Sequence, residues 1–108
     1  MLTLTTTRRV VTRNNMKAML LQRSRTNVGD NAFTEMVVWR VPSPVPGSSH
    51  LYKYRLALVI DGECVLRYDN ERGKGDHRHM QGHEAPIGFK SLAALLEAFE
   101  TDVERILK

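Results

Sequence analysis

The chain has a single cysteine, Cys64, a single tryptophan, Trp39, and few aromatic residues, 6% in all. One thiol cannot close an internal disulfide, so the fold must rest on packing, and a reducing aqueous compartment suits it. Long apolar runs are missing as well. None approaches the roughly 20 residues that a membrane-spanning helix needs, so no membrane association is expected. The first fifteen residues, MLTLTTTRRVVTRNN, lack the continuous apolar stretch of a secretory signal. Internal repeats and coiled-coil heptads are absent too. With 108 residues there is no room for a second core. A chain of this size buries only roughly 60 to 70% of its unfolded surface, so a partner or a second copy would add stability and a homodimer is open.

What is present is ordinary for a globular domain: 42% hydrophobic and 26% charged residues. The net charge of +4 invites a nucleic-acid reading, but its distribution matters more. Arg8, Arg9 and Arg13 lie in the first fifteen residues with no acid, so from Met16 onward thirteen cations meet twelve acids. We expect residues 1–15 to be a flexible leader or upstream-start extension and residues 16–108 to form one α+β domain.

Strand patterns fill most of that domain. MKAMLLQ and FTEMVVWRV flank a turn-rich stretch around Gly29 and Asp30, and residues 42–50, with three prolines, read as a surface loop. LYKYRLALVI and ECVLRYDN are separated by Asp61-Gly62, the strongest short-range hairpin signal a sequence offers. After Asn70 the periodicity stops, and the polar, glycine-rich segment through Gly88 reads as loop or irregular strand. Ser91 then caps a segment that places Leu92, Leu95, Leu96, Phe99, Val103, Ile106 and Leu107 at helical spacing. The expected fold is a four-stranded antiparallel meander, with strands near 16–22, 32–41, 51–60 and 63–70. An amphipathic C-terminal helix over 91–107 covers one face.

A two-residue type I′ turn at Asp61-Gly62 sets Ile60 opposite Glu63 and fixes the rest of the register. Tyr52, Tyr54, Leu56, Leu58 and Ile60, with Val65, then face the helix. The other face pairs Val59 with Cys64, Ala57 with Leu66, Arg55 with Tyr68 and Lys53 with Asn70. Two cations, a phenol and an amide would share one patch. Cys64 reads as a small buried hydrophobe and Trp39 as core or sheet cover.

The segment that follows carries Lys74, Asp76, His77, Arg78, His79 and His83. Histidine titrates near neutrality, so two rings beside cations suit proton transfer at a phosphate. In His77-x-His79 an extended backbone points both rings to one side, which serves either acid/base work or metal binding. A metal would recruit Asp69, Asp76 or His83, but no second cluster completes a closed site, and no cofactor is called for. Gly73-Lys74-Gly75 lacks the leading glycine and the following Ser/Thr of a phosphate-binding loop.

Arg67-Tyr68-Asp69-Asn70, a spacer, His77-Arg78-His79 and a C-terminal amphipathic helix together resemble the TumE-type toxins of bacterial toxin–antitoxin systems. Lys53-Tyr54-Arg55 fits the same pattern, and the resemblance spans roughly Met16 to Lys108. It implies a small cytoplasmic bacterial toxin whose cognate antitoxin carries a DNA-binding domain. The chemistry of the patch extends this toward RNA as substrate and a metal-independent endoribonuclease. His77 and His79 would be base and acid in either order. Tyr68 would donate a hydrogen bond or stack on a base, and Asp69 would orient a histidine. Lys53, Arg55, Asn70, Lys74 and Arg78 would contact RNA and its phosphates. The rivals are a non-enzymatic module that blocks a protein or nucleic-acid target by occupancy, and a metal-dependent hydrolase built on the His77/His79 pair.

Overall fold

The computed structural model describes residues 17–70 and 73–108, so the leader expected over 1–15 lies outside the described residues. The fold is α+β, with one antiparallel sheet and a C-terminal helix. The sheet has six strands in sequential order, not four: β1 (Met19–Gly29), β2 (Ala32–Arg40), β3 (Tyr52–Ile60), β4 (Glu63–Asp69), β5 (His77–Met80) and β6 (His83–Pro86). Helix α1 (Leu92–Leu107) follows. The two extra strands come from the segment expected to be loop. Their turn, Gln81-Gly82, has φ of 49° and 87°, the same left-handed pair that Asp61 and Gly62 adopt at 52° and 80°. Strand β1 also runs past its expected end at residue 22, as far as Gly29. It is an edge strand, and edge strands carry polar residues without losing their ladder.

Helix α1 starts where Ser91 Oγ accepts the Ala94 N–H at 3.1 Å. Its apolar stripe lies over the middle of the sheet, where Phe99, Leu56, Leu58, Leu66 and Val38 are fully buried with Leu95 and Val103 beside them. Each such side chain contributes about 1.5–3 kcal/mol by leaving water. The face of β3 expected to meet the helix does so. Cys64, by contrast, is exposed: it opposes Val59 near the turn, on the face the helix does not cover.

The register of the central hairpin departs from expectation at one residue. Ile60 opposes Glu63 and Val59 opposes Cys64, but Leu58 then opposes Leu66, Ala57 opposes Arg67, Leu56 opposes Tyr68 and Arg55 opposes Asp69. The turn is as expected, and Val65 is the extra residue of a β-bulge. A one-residue slip sends every later side chain to the other face. Without the bulge, Arg67 and Asp69 would have to lie under the helix and Leu66 in water. With it, Leu66 and Tyr68 are buried, and Arg67 and Asp69 reach the open face. The freed Val65 carbonyl accepts the Gln81 N–H at 3.1 Å, which ties the bulge to the β5–β6 turn.

Candidate functional site

The bulge sorts the two sequence motifs between the two sides of the sheet. Arg67, Asp69, His77 and His79 lie on the open face, whereas Tyr68, Asn70 and Arg78 lie on the helix side, so Arg55 and Tyr68 are not neighbours on one face. Two cross-strand rows define the open face. One runs Arg23, Val37, Arg55, Asp69, His77, Pro86; the next runs Arg25, Glu35, Ala57, Arg67, His79, Glu84.

The histidine rings stand 6.5 Å apart, centre to centre. His77 Nδ1 lies 2.9 Å from the Gly75 carbonyl, which can only accept, so the hydrogen sits on Nδ1 and Nε2 faces the open side. Glu84 Oε2 lies between the rings, 3.7 Å from His77 Nε2 and 3.8 Å from His79 Nε2. Asp69 reaches His79 Nε2 at 3.9 Å through Oδ1, and its Oδ2 lies 2.8 Å from Arg67 Nε. That N–H is not aimed at the oxygen and has no hydrogen-bond acceptor, so the Arg67–Asp69 contact is electrostatic. Lys74 approaches Glu84 at 3.5 Å, and Lys53 and Arg55 project from β3 into solvent.

Three residues expected in this patch serve the other side. Tyr68, 4% exposed, donates to Asp102 Oδ2 at 2.6 Å, and Arg78 Nη1 reaches the same oxygen at 3.2 Å. Burial first, and then the hydrogen bond to Asp102, hold the Tyr68 hydroxyl up to about 12 despite the lowering effect of Arg78. At neutral pH it is a fixed donor to the helix. Asn70 is wholly buried: its Oδ1 accepts the Tyr54 N–H at 3.1 Å, and its Nδ2 donates to the Tyr52 carbonyl at 2.8 Å. It continues the ladder past the end of β4, where a phosphate contact had been expected.

Sequence reasoning missed a second polar cluster. Asp76 Oδ2 accepts from Tyr54 Oη at 2.6 Å and from His50 Nε2 at 2.8 Å, and Oδ1 accepts from Ser48 Oγ at 2.8 Å. The Tyr52 N–H donates to His50 Nδ1 at 3.2 Å, so the hydrogen of that ring is on Nε2, toward Asp76. His50 also stacks on Phe89 at 3.6 Å. Burial alone would raise the Asp76 carboxyl, but the donors Tyr54, His50 and Ser48 outweigh it and hold it below the ordinary carboxylate range. The same environment, burial first and Asp76 second, pushes the Tyr54 hydroxyl upward. This cluster clamps the proline-rich loop to the segment before β5. Gly47 and Gly75 cross there so closely that a Cβ on Gly47 would sit 2.6 Å from the Gly75 nitrogen. The clamp also delivers the Gly75 carbonyl to His77.

Of the groups a metal would recruit, only Asp69 shares a face with the histidine pair. Asp76 is committed to the clamp, and His83 opposes Met80 on the helix side. Among the described residues no three His, Cys, Asp or Glu side chains form a group that could hold a metal ion. Glu84 is the acidic neighbour the sequence reading passed over; a hairpin at Gln81-Gly82 would have set it opposite His79.

A sheet with one side clamped to a helix and the other carrying histidines, carboxylates and arginines is a small scaffold that presents a polar, charged face. The chain matches the protein-family model described as Toxin TumE over residues 3–107, nearly its whole length, and it belongs to that family. Membership makes it the toxin of a toxin–antitoxin system and implies a cognate antitoxin. No curated protein and no solved structure matches the chain. Among the described residues no helix is long and apolar enough to cross a membrane.

Proposed function

We propose that this toxin acts in the cytoplasm on RNA, as a metal-independent endoribonuclease whose centre is the open face around His77 and His79. The observation that carries the reading is the pairing of the two rings, 6.5 Å apart, beside Arg67 and two strands from Arg55. RNA supplies its own nucleophile, so the protein needs only a base, an acid and cations. His77 is the base: its Nδ1 hydrogen is held by Gly75, which leaves Nε2 to take the proton of a 2′-hydroxyl. The 2′-oxygen then attacks the adjacent phosphorus and the bond to the 5′-oxygen breaks. His79 is the acid that gives this leaving oxygen its proton, with Asp69 and Glu84 near its Nε2 to orient it. Arg67 and Arg55 hold the phosphate while negative charge accumulates. The products are a 2′,3′-cyclic phosphate and a 5′-hydroxyl. The cognate antitoxin, with its own DNA-binding domain, neutralises the toxin by covering this face.

The test is expression without antitoxin, together with purified protein on RNA. His77→Ala and His79→Ala are each expected to relieve growth arrest and to slow cleavage by about 10²–10⁴-fold, with melting curves unchanged. Cleavage should persist in chelator. Chelator-sensitive cleavage would instead favour the metal-dependent hydrolase. Arrest that survives loss of both histidines, with no RNA cleaved, would leave occupancy of a target as the mechanism.

A further inference from the structure

Beside the histidine rows the open face carries an unusual group. Trp39 on β2 opposes Lys53 on β3, and in the adjacent row Val37 opposes Arg55. These side chains line a cavity of about 190 Å³. Ligand pockets for whole small molecules run to roughly 300–1,000 Å³, so this one suits a single flat ring. Trp39 is half-buried, whereas Lys53 and Arg55 are exposed at the cavity's edge. A sheet face left to water alone has no need of an indole framed by two cations. That combination is what single-stranded nucleic acids use, with an aromatic face for a base and cations for the flanking phosphates.

The position also fits. Arg55 shares a cross-strand row with His77 two strands away, about 10 Å at ordinary strand spacing. Trp39 lies one strand further and one step along the strands, since Lys53 precedes Arg55 by two residues. A chain whose base rests on Trp39 would pass Arg55 and reach the histidine pair without leaving the sheet. Along this track Lys53, Arg55 and Arg67 outnumber Asp69, which lies 2.8 Å from Arg67, and this favours a polyanion over a second copy of the same face.

We propose that the Trp39–Lys53–Arg55 cavity is a nucleobase subsite for single-stranded RNA, set a short distance along the strand from the scissile phosphate. This rests on the RNA reading above, and Trp39 allows the two to be tested apart. As the only tryptophan it reports directly on its own site. In the His77→Ala/His79→Ala protein, titration with hexa-adenylate should quench the Trp39 emission saturably, while inorganic tripolyphosphate should not. By fluorescence polarisation of the labelled hexamer, Trp39→Leu should weaken binding about tenfold and Trp39→Phe distinctly less, with Lys53→Ala and Arg55→Ala weakening it as well. Hexamer binding without quenching, or with equal affinity in Trp39→Leu, would overturn the subsite while RNA cleavage by the unmodified protein could stand. Quenching that depends on protein concentration alone, with a dimer by sedimentation, would also overturn it and assign the face to self-association. Loss of both hexamer binding and RNA cleavage would remove the subsite and the nuclease together.

Discussion

Asp76 shows how a buried charge can organise a site it does not belong to. Its side chain is 8% exposed, and three donors converge on its two oxygens. An amide at this position could not accept on both atoms, so Asp76→Asn should cost on the order of 3 kcal/mol at neutral pH, a large share of a small domain's stability. The sign with pH follows from the lowered carboxyl. The stabilisation is fully present above the ordinary carboxylate range and is lost as pH falls from about 4 through the lower folded-state value. The gap in melting temperature between wild type and Asp76→Asn should therefore close in acid; a gap that is the same at all pH values would refute the clamp. Nothing in the composition pointed to this group. His50 sits in a proline-rich loop and Asp76 in a glycine-rich one, and only tertiary closure through Gly47 and Gly75 brings them together.

At the scale of elements, the central hairpin and the helix were legible because each declares itself locally, the first by Asp61-Gly62 and the second by Ser91 and a helical stripe. The site was less so, because face assignment depends on every residue between turn and motif. The adjacent Val65 and Leu66, followed by strict alternation of charged and buried residues, were the available sign of a bulge. The β5–β6 hairpin was hidden by its composition: as an edge it buries little, so His-Arg-His-Met and His-Glu-Ala-Pro carry no apolar alternation. The corrected register makes Tyr68 a helix anchor, and that can be measured. Tyr68→Phe removes one donor from the buried Asp102 and should cost about 1–3 kcal/mol at neutral pH. Because the Tyr68 hydroxyl is held up to about 12, its contribution is complete below the unfolded value near 10 and is lost as pH rises toward 12. Urea denaturation of the two proteins should thus differ most near neutrality and converge in alkali. Equal stability of the two at pH 7 would place the hydroxyl outside the helix contact.

Across the whole molecule the charge is biased between the two sides, with five cations against Glu35, Asp69 and Glu84 on the open face. Arg23, Arg25, Lys53, Arg55 and Arg67 stand on the open face, while Glu97, Glu100 and Glu104 are exposed on the helix behind it. In the sequence the acids Glu97, Glu100, Asp102 and Glu104 gather in the C-terminal segment, but the side each strand residue takes had to come from the register. Such a molecule should meet a polyanion with one side only. For single-stranded nucleic acid, each phosphate neutralised adds about 0.7 to the slope of log affinity against log salt. Arg23 lies on the edge strand in the same row as His77 but four strands from it, so Arg23→Ala should leave the chemistry of bound RNA unchanged. It should weaken binding and flatten the slope by about 0.7. Arg105, on the helix and 76% exposed, offers the control, and Arg105→Ala should leave both affinity and slope where they are. If the two substitutions acted alike, or if Arg105→Ala were the stronger, the open sheet would not be the surface that meets RNA, because these two exposed arginines stand on opposite sides of the molecule.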